Sequence, residues 1–151
     1  LIYGLQGVAV EADHVNATQS EAGPLKGARI LVIEDEFLIA TVVEDVLKDA
    51  GARQVVIALN LKEGHDELAA SEPIDAAVID IQLADGTDAG FALAEVALKR
   101  RIPIVFLTGY ESDLALPEPF AAVRLLTKPY SPPALIAAVS DAISRAGAAE
   151  P

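Results

Sequence analysis

The sequence predicts an α/β fold: a doubly wound, five-stranded parallel sheet with helices on both faces. Five short apolar runs, near residues 28–33, 54–58, 74–80, 103–107 and 123–127, alternate with segments of helical length, the pattern of successive βα units. Runs this apolar on both alternating sides suit strands covered by helices on each face. A third observation locates function. ILVI runs into Glu34-Asp35-Glu36, AAVI into Asp80, IVFL into Thr108 and the last run into Lys128-Pro129. Parallel strands deliver their carboxyl ends to one edge, where open α/β sheets bind ligands.

Each connection supports the alternation. A helix over 36–50 carries Ile39, Val42, Val43, Val46, Leu47 and Ala50 on one stripe, and Gly51 stands where a helix C-cap belongs. Asn60-Leu61-Lys62-Glu63 resembles a capping box opening a second helix, which Pro73 ends. QLADGTDAG is a loop leading into a helix over 89–100, with Phe91, Ala94 and Leu98 facing inward. Pro117 and Pro119 allow only a short or interrupted helix before the fifth strand. Ser131 caps a last helix whose first turn holds Pro132 and Pro133, where a missing N–H does no harm.

Length and composition bound the function. A chain of 151 residues suits one domain with a proper core. Residues 11–27 (EADHVNATQSEAGPLKG) are polar, small and broken by Gly and Pro, so 1–27 reads as an N-terminal extension and linker before a domain at 28–147. No apolar run is long enough to span a bilayer. A net charge of −12 argues against nucleic acid as a direct partner, since that affinity rests on Lys and Arg. The absence of Cys removes thiol chemistry and disulfides and fits a cytoplasmic location. With no Met, even at position 1, the sequence reads as a processed product, an excised domain or a partial reading frame.

The converging residues point to Asp80 as a carboxylate nucleophile towards a phosphoryl group, beside a divalent cation. Taken in order, Glu34/Asp35, Asp80, Thr108 and Lys128-Pro129 resemble the receiver domain of two-component response regulators over residues 28 to 147. The resemblance implies a flavodoxin-like strand order 2-1-3-4-5. It implies that Asp80 takes a phosphoryl group from a histidine kinase or phosphotransfer protein, so the chain is a phosphoryl acceptor rather than an enzyme. It further implies Mg²⁺ held by Asp35, Asp80 and the Gln82 backbone carbonyl, with Glu34 acting through water, and a cis peptide at Lys128-Pro129. Thr108 and Lys128 would then stabilise the transferring group. Glu36 is assigned to the start of the helix, where acids are favoured by the dipole. His14 and His65 are expected to take no part.

Two departures from the family pattern stand out. Leu125 occupies the place of the strand-5 aromatic switch residue, and Ala84 that of a customary Pro. Phe106-Leu107-Thr108-Gly109-Tyr110 instead resembles the FATGUY subgroup of receivers, which implies that Tyr110 or the Pro-containing segment after it transmits the signal to a downstream protein partner. Residues after the last helix are too few to fold, so the output is expected to be a surface change. Three alternatives compete with this reading. An aspartate-nucleophile phosphohydrolase of the haloacid dehalogenase type needs a second Asp at position 82, where Gln82 stands. A receiver-like interaction module without phosphorylation would not require the complete acid, hydroxyl and ammonium set. PLKGARILVIEDE also resembles the join between kinase core and receiver in hybrid histidine kinases.

Overall fold

β-branched and leucine side chains alternate along the strands, and each set finds its own layer of helices. In the computed structural model, which describes residues 23–109 and 115–149, the elements follow in the order β1 (Arg29–Ile33), α1 (Phe37–Asp49), β2 (Gln54–Ala58), α2 (Leu61–Ala69), β3 (Ala76–Asp80), α3 (Thr87–Lys99), β4 (Ile104–Thr108), a 3₁₀ turn (Glu118–Phe120), β5 (Arg124–Thr127) and α4 (Pro132–Ala148). The sheet is parallel, in the order β2-β1-β3-β4-β5, as the resemblance implied. Ile30, Val32, Val78, Val105 and Leu107 pack with Val43 and Leu47 of α1 and with Leu135, Ala138 and Val139 of α4. Their neighbours Leu31, Ile33, Ala77, Ile79 and Phe106 face the other way, towards Leu68 of α2 and Leu93, Ala94 and Ala97 of α3. This period-two division covers the sheet on both faces, and every residue of β1, β3 and β4 is buried.

The caps read from the sequence are present. The Asn60 side chain accepts from Glu63 N at 2.9 Å, while the Glu63 carboxylate reaches back to Leu59 N, one residue before the cap, at 2.7 Å. Ser131 Oγ accepts from Ala134 N. Gly51 has φ 103°, a left-handed conformation that costs glycine nothing.

Several side-chain assignments are corrected. Val42 is exposed, together with Phe37 and Leu38, and Leu98 is exposed as well. Helix α1 holds more apolar residues than one stripe accommodates. The buried set is Ala40, Val43 and Leu47, because alanine lets the backbone approach the sheet closely. Helix α3 starts at Thr87 and buries Leu93, Ala94 and Ala97, so Leu98 lies outside the buried face. β3 begins at Ala76, two residues later than the apolar run. Glu36 is the N-cap of α1 and not part of its first turn, and its side chain makes no capping bond. Within residues 23–27, read as linker, Leu25 is buried and donates its N–H to Ala50 O, while Pro24, Lys26 and Gly27 are exposed.

The short connection before β5 is filled by aromatics. Phe120 of the 3₁₀ turn is buried and stacks on Phe91 of α3 at 5.7 Å, and both meet Phe106 of β4 edge-on. Edge-to-face and offset contacts at this separation are favourable beyond area burial. They anchor residues 118–120 to the strand that carries Thr108. Tyr110 lies outside the described residues, as does His14.

Candidate functional site

The carboxyl ends of β1, β3, β4 and β5 converge. Asp80 is the last residue of β3 and is 3% exposed. Its Oδ1 accepts from Gln82 N at 2.8 Å, and its Oδ2 accepts from Lys128 Nζ at 2.8 Å. Glu34, the residue after β1, is wholly buried; its Oε2 lies 2.9 Å from the same Nζ, and its Oε1 accepts from Glu36 N. One ammonium therefore bridges two carboxylates from different strands. Asp35 is half-buried and accepts from Ala84 N at 2.8 Å, which ties the β1 end to the loop after β3. Thr108 closes β4, is buried, and its carbonyl accepts from Lys128 N at 2.7 Å. The Lys128-Pro129 peptide is cis.

Local sequence explains these positions. Asp80 pairs with Leu107 and Thr108 with Thr127 along adjacent strands, so the parallel register brings acid, hydroxyl and ammonium to one edge of the sheet, each a residue further along than the last. Gly90 of α3 lets that helix close on the site: a Cβ there would meet Asp80 O and Ile81 Cα at 3.1 Å. All five residues singled out from the sequence are thus together. Three contacts carry no sequence signal: Lys128 with Glu34, Asp35 with the Ala84 N–H, and the Gln82 side chain with Gly109 N at 2.6 Å. Each depends on side-chain reach between loops. His65 sits exposed on α2, remote in sequence from every strand end in the site.

Electrostatics follow from burial and crowding. Burial pushes Glu34 up to about 7 from an ordinary 4.5; the Lys128 hydrogen bond opposes that rise, and the adjoining Asp80 adds to it. Burial would lower Lys128, but its hydrogen bonds to Asp80 and Glu34, together with their charges, more than offset this and raise it to about 12. Burial likewise raises Tyr130.

Glu34, Asp35 and Asp80 can each offer a carboxylate oxygen within 4.8 Å of the others. Whenever all three carboxylates are ionised, the one ammonium leaves two negative charges unbalanced. Hard oxygen donors with that deficit fit a dication such as Mg²⁺.

A pH test follows for the metal-free protein. Between pH 4.5 and 7 the folded state retains a proton on Glu34 that the unfolded chain has released. Folding then takes up protons, so the Glu34 contribution to stability falls as pH rises through that window and levels off above it. Urea midpoints from pH 4.5 to 8 in a chelator should show this decline in the wild type, and Glu34→Gln should flatten it.

An open α/β sheet whose carboxyl edge gathers two buried acids, a third acid, a threonine and a lysine has the arrangement expected of a receiver-type signalling domain. The sequence profile of the response regulator receiver domain matches residues 30–140, and the chain belongs to that family. It is 28% identical over 131 residues to the phyllosphere-induced regulator PhyR of Methylorubrum extorquens, covering 87% of this chain and 49% of that protein. A response regulator receiver protein from Sinorhizobium medicae superposes with a TM-score of 0.68 at 27% identity, over 81% of this chain and 98% of that one. An anti-anti-sigma factor PhyR from Bartonella quintana gives 0.67 at 29%, over 82% and 51%. The chain spans about half the length of these PhyR proteins. Among the described residues no helix is long and apolar enough to cross a membrane.

Proposed function

We propose that the chain is a phosphoacceptor: Asp80 receives a phosphoryl group from the phosphohistidine of a histidine kinase or phosphotransfer protein in the cytoplasm, and a downstream protein reads the resulting change of surface. The observation that carries this reading is the Lys128 ammonium, 2.8 Å from Asp80 and 2.9 Å from Glu34, at the sheet edge where Thr108 ends β4.

In the transfer, an Asp80 oxygen attacks phosphorus. The new P–O bond forms as the P–N bond of the donor breaks, and the imidazole leaves with the bonding electron pair. Lys128 and the Thr108 hydroxyl face the incoming phosphoryl oxygens and stabilise charge that is greatest in the transition state. Asp35, Asp80 and the Gln82 carbonyl would hold Mg²⁺, with Glu34 beside them. Bound there, the ion would neutralise phosphoryl charge that otherwise meets a cluster of carboxylates. The hydrolase reading finds no support at Gln82, whose amide cannot serve as the general acid. Signalling would run through β4, the aromatic-anchored turn and β5, a local charge event biasing a two-state element; Tyr110 remains part of this proposal.

The test is to trap the acyl phosphate. After incubation with acetyl phosphate and Mg²⁺, intact mass should rise by one phosphoryl group, and borohydride reduction followed by peptide mapping should convert Asp80 alone to homoserine. A mass gain mapping to another residue, or no gain at all, would overturn the assignment.

A further inference from the structure

Gln82 has a side chain whose task differs from that of its backbone. Its Oε1 accepts from Gly109 N at 2.6 Å, while its own N–H is spent on Asp80 Oδ1. Gly109 is the residue after Thr108, at the end of the strand that lies between Asp80 and Lys128 in the sheet. Its N–H is the main-chain donor next beyond the Thr108 hydroxyl. Gly109 is closely approached by this amide: a Cβ there would come within 2.7 Å of Gln82 Oε1. The glycine thus leaves room for the amide to reach over the end of β4.

A phosphoryl group on Asp80 brings oxygens that need donors in this same space, and a backbone N–H at a strand end suits such an anion. The Gln82 oxygen carries partial negative charge and already holds that donor. It and a phosphoryl oxygen cannot both take the Gly109 N–H in good geometry, since each would repel the other.

We propose that the Gln82 side chain is a resting-state latch: it occupies the Gly109 N–H and must release it before that donor can serve a phosphoryl group on Asp80. Gln82 is in this sense a positioning residue that sets how readily the site accepts its ligand. The proposal rests on the acceptor reading of Asp80. It makes a prediction opposite in sign to that of a merely structural contact, because deleting the side chain should improve binding.

The probe is beryllium trifluoride, a phosphoryl mimic, titrated with Mg²⁺ present and followed by amide resonances of the full chain. In the wild type the Gly109 amide should exchange slowly with solvent. In Gln82→Ala it should exchange fast, and half-saturation should fall about fivefold, the factor one ordinary hydrogen bond is worth. Gln82→Asn, a methylene shorter, should behave like Ala. Gln82→Glu holds the N–H with a charged acceptor and should bind the mimic more weakly than wild type. Half-saturation by Mg²⁺ alone is read in parallel for every variant, so that a change at the metal is told apart from a change at the Gly109 donor. Equal or weaker mimic binding by Gln82→Ala with intact Mg²⁺ binding overturns the latch, as does loss of Mg²⁺ binding, which makes the contact structural. If the wild type binds no mimic while Mg²⁺ still binds, the acceptor reading itself fails and the latch falls with it.

Discussion

Asp80→Asn is expected to take up no phosphoryl group from acetyl phosphate under conditions where the wild type takes one per chain. Asparagine keeps the shape and the acceptor oxygen for Gln82 N, so the loop after β3 should hold. What would be lost is the proposed nucleophile, since an amide oxygen at neutral charge does not attack phosphorus usefully. The same substitution removes one carboxylate from a cluster in which three acids share one ammonium. Asp80 is among the causes that hold Glu34 high, so Glu34 should titrate closer to an ordinary glutamate in the variant. Without metal, stability should be unchanged or raised. With Mg²⁺ the order should reverse: the wild type gains stability by binding an ion that the unfolded chain does not, and the variant, lacking one direct ligand, gains less. Thermal melts with and without Mg²⁺ separate this pattern from general damage, which would lower both. Phosphoryl uptake by the variant at wild-type stoichiometry would move the acceptor to another residue, with Asp35 the first candidate.

The functional edge was legible because parallel topology does geometric work that sequence can report. Once residues 30–33, 76–79 and 104–107 read as parallel strands, Glu34, Asp80 and Thr108 had to emerge on one side, whatever the helices did. Helix phase was less legible. In α1 and α3 most positions are apolar, so periodicity picked out Ala94 but did not say that alanines 40 and 97 would face the sheet while Val42 and Leu98 faced solvent. Close approach selected the small residues. Leu25 was hidden by its neighbours: a lone leucine among Gly, Pro and Lys carries no period, yet its hydrogen bond to Ala50 O docks it on the end of α1. Long side chains spanning two loops were the least legible of all. Gln82 to Gly109 and Lys128 to Glu34 join residues 27 and 94 positions apart, and nothing in local spacing marks them.

Lys128→Ala should cost both stability and reactivity, and the two losses should be separable. Glu34 is wholly buried, and its one cationic hydrogen-bond partner among the described residues is Lys128. Removing one member of a buried ion pair typically costs about 3–5 kcal/mol, because the other charge is left uncompensated. Glu34 has an escape in protonation, and a carboxyl already raised to about 7 takes a proton readily in mild acid. The loss in Lys128→Ala should therefore be largest above pH 7 and shrink as the pH falls below it, as urea midpoints at pH 6 and 8 would show. In the wild type the Lys128 contribution is present below its unfolded value of 10.5 and is lost only as pH rises through about 12, so it stays constant across this range. Phosphorylation from acetyl phosphate should slow by about 100- to 1,000-fold, the usual effect of deleting a preorganised transition-state partner. Adding Glu34→Gln to Lys128→Ala discriminates between the two roles. The neutral amide no longer needs the ammonium, so much of the stability should return, with a coupling energy readable from the double-mutant cycle. The rate should not return, because nothing in the double variant offers positive charge to the phosphoryl group. Recovery of both together would mean that Lys128 only props up Glu34; recovery of stability alone assigns the ammonium a direct part in transfer.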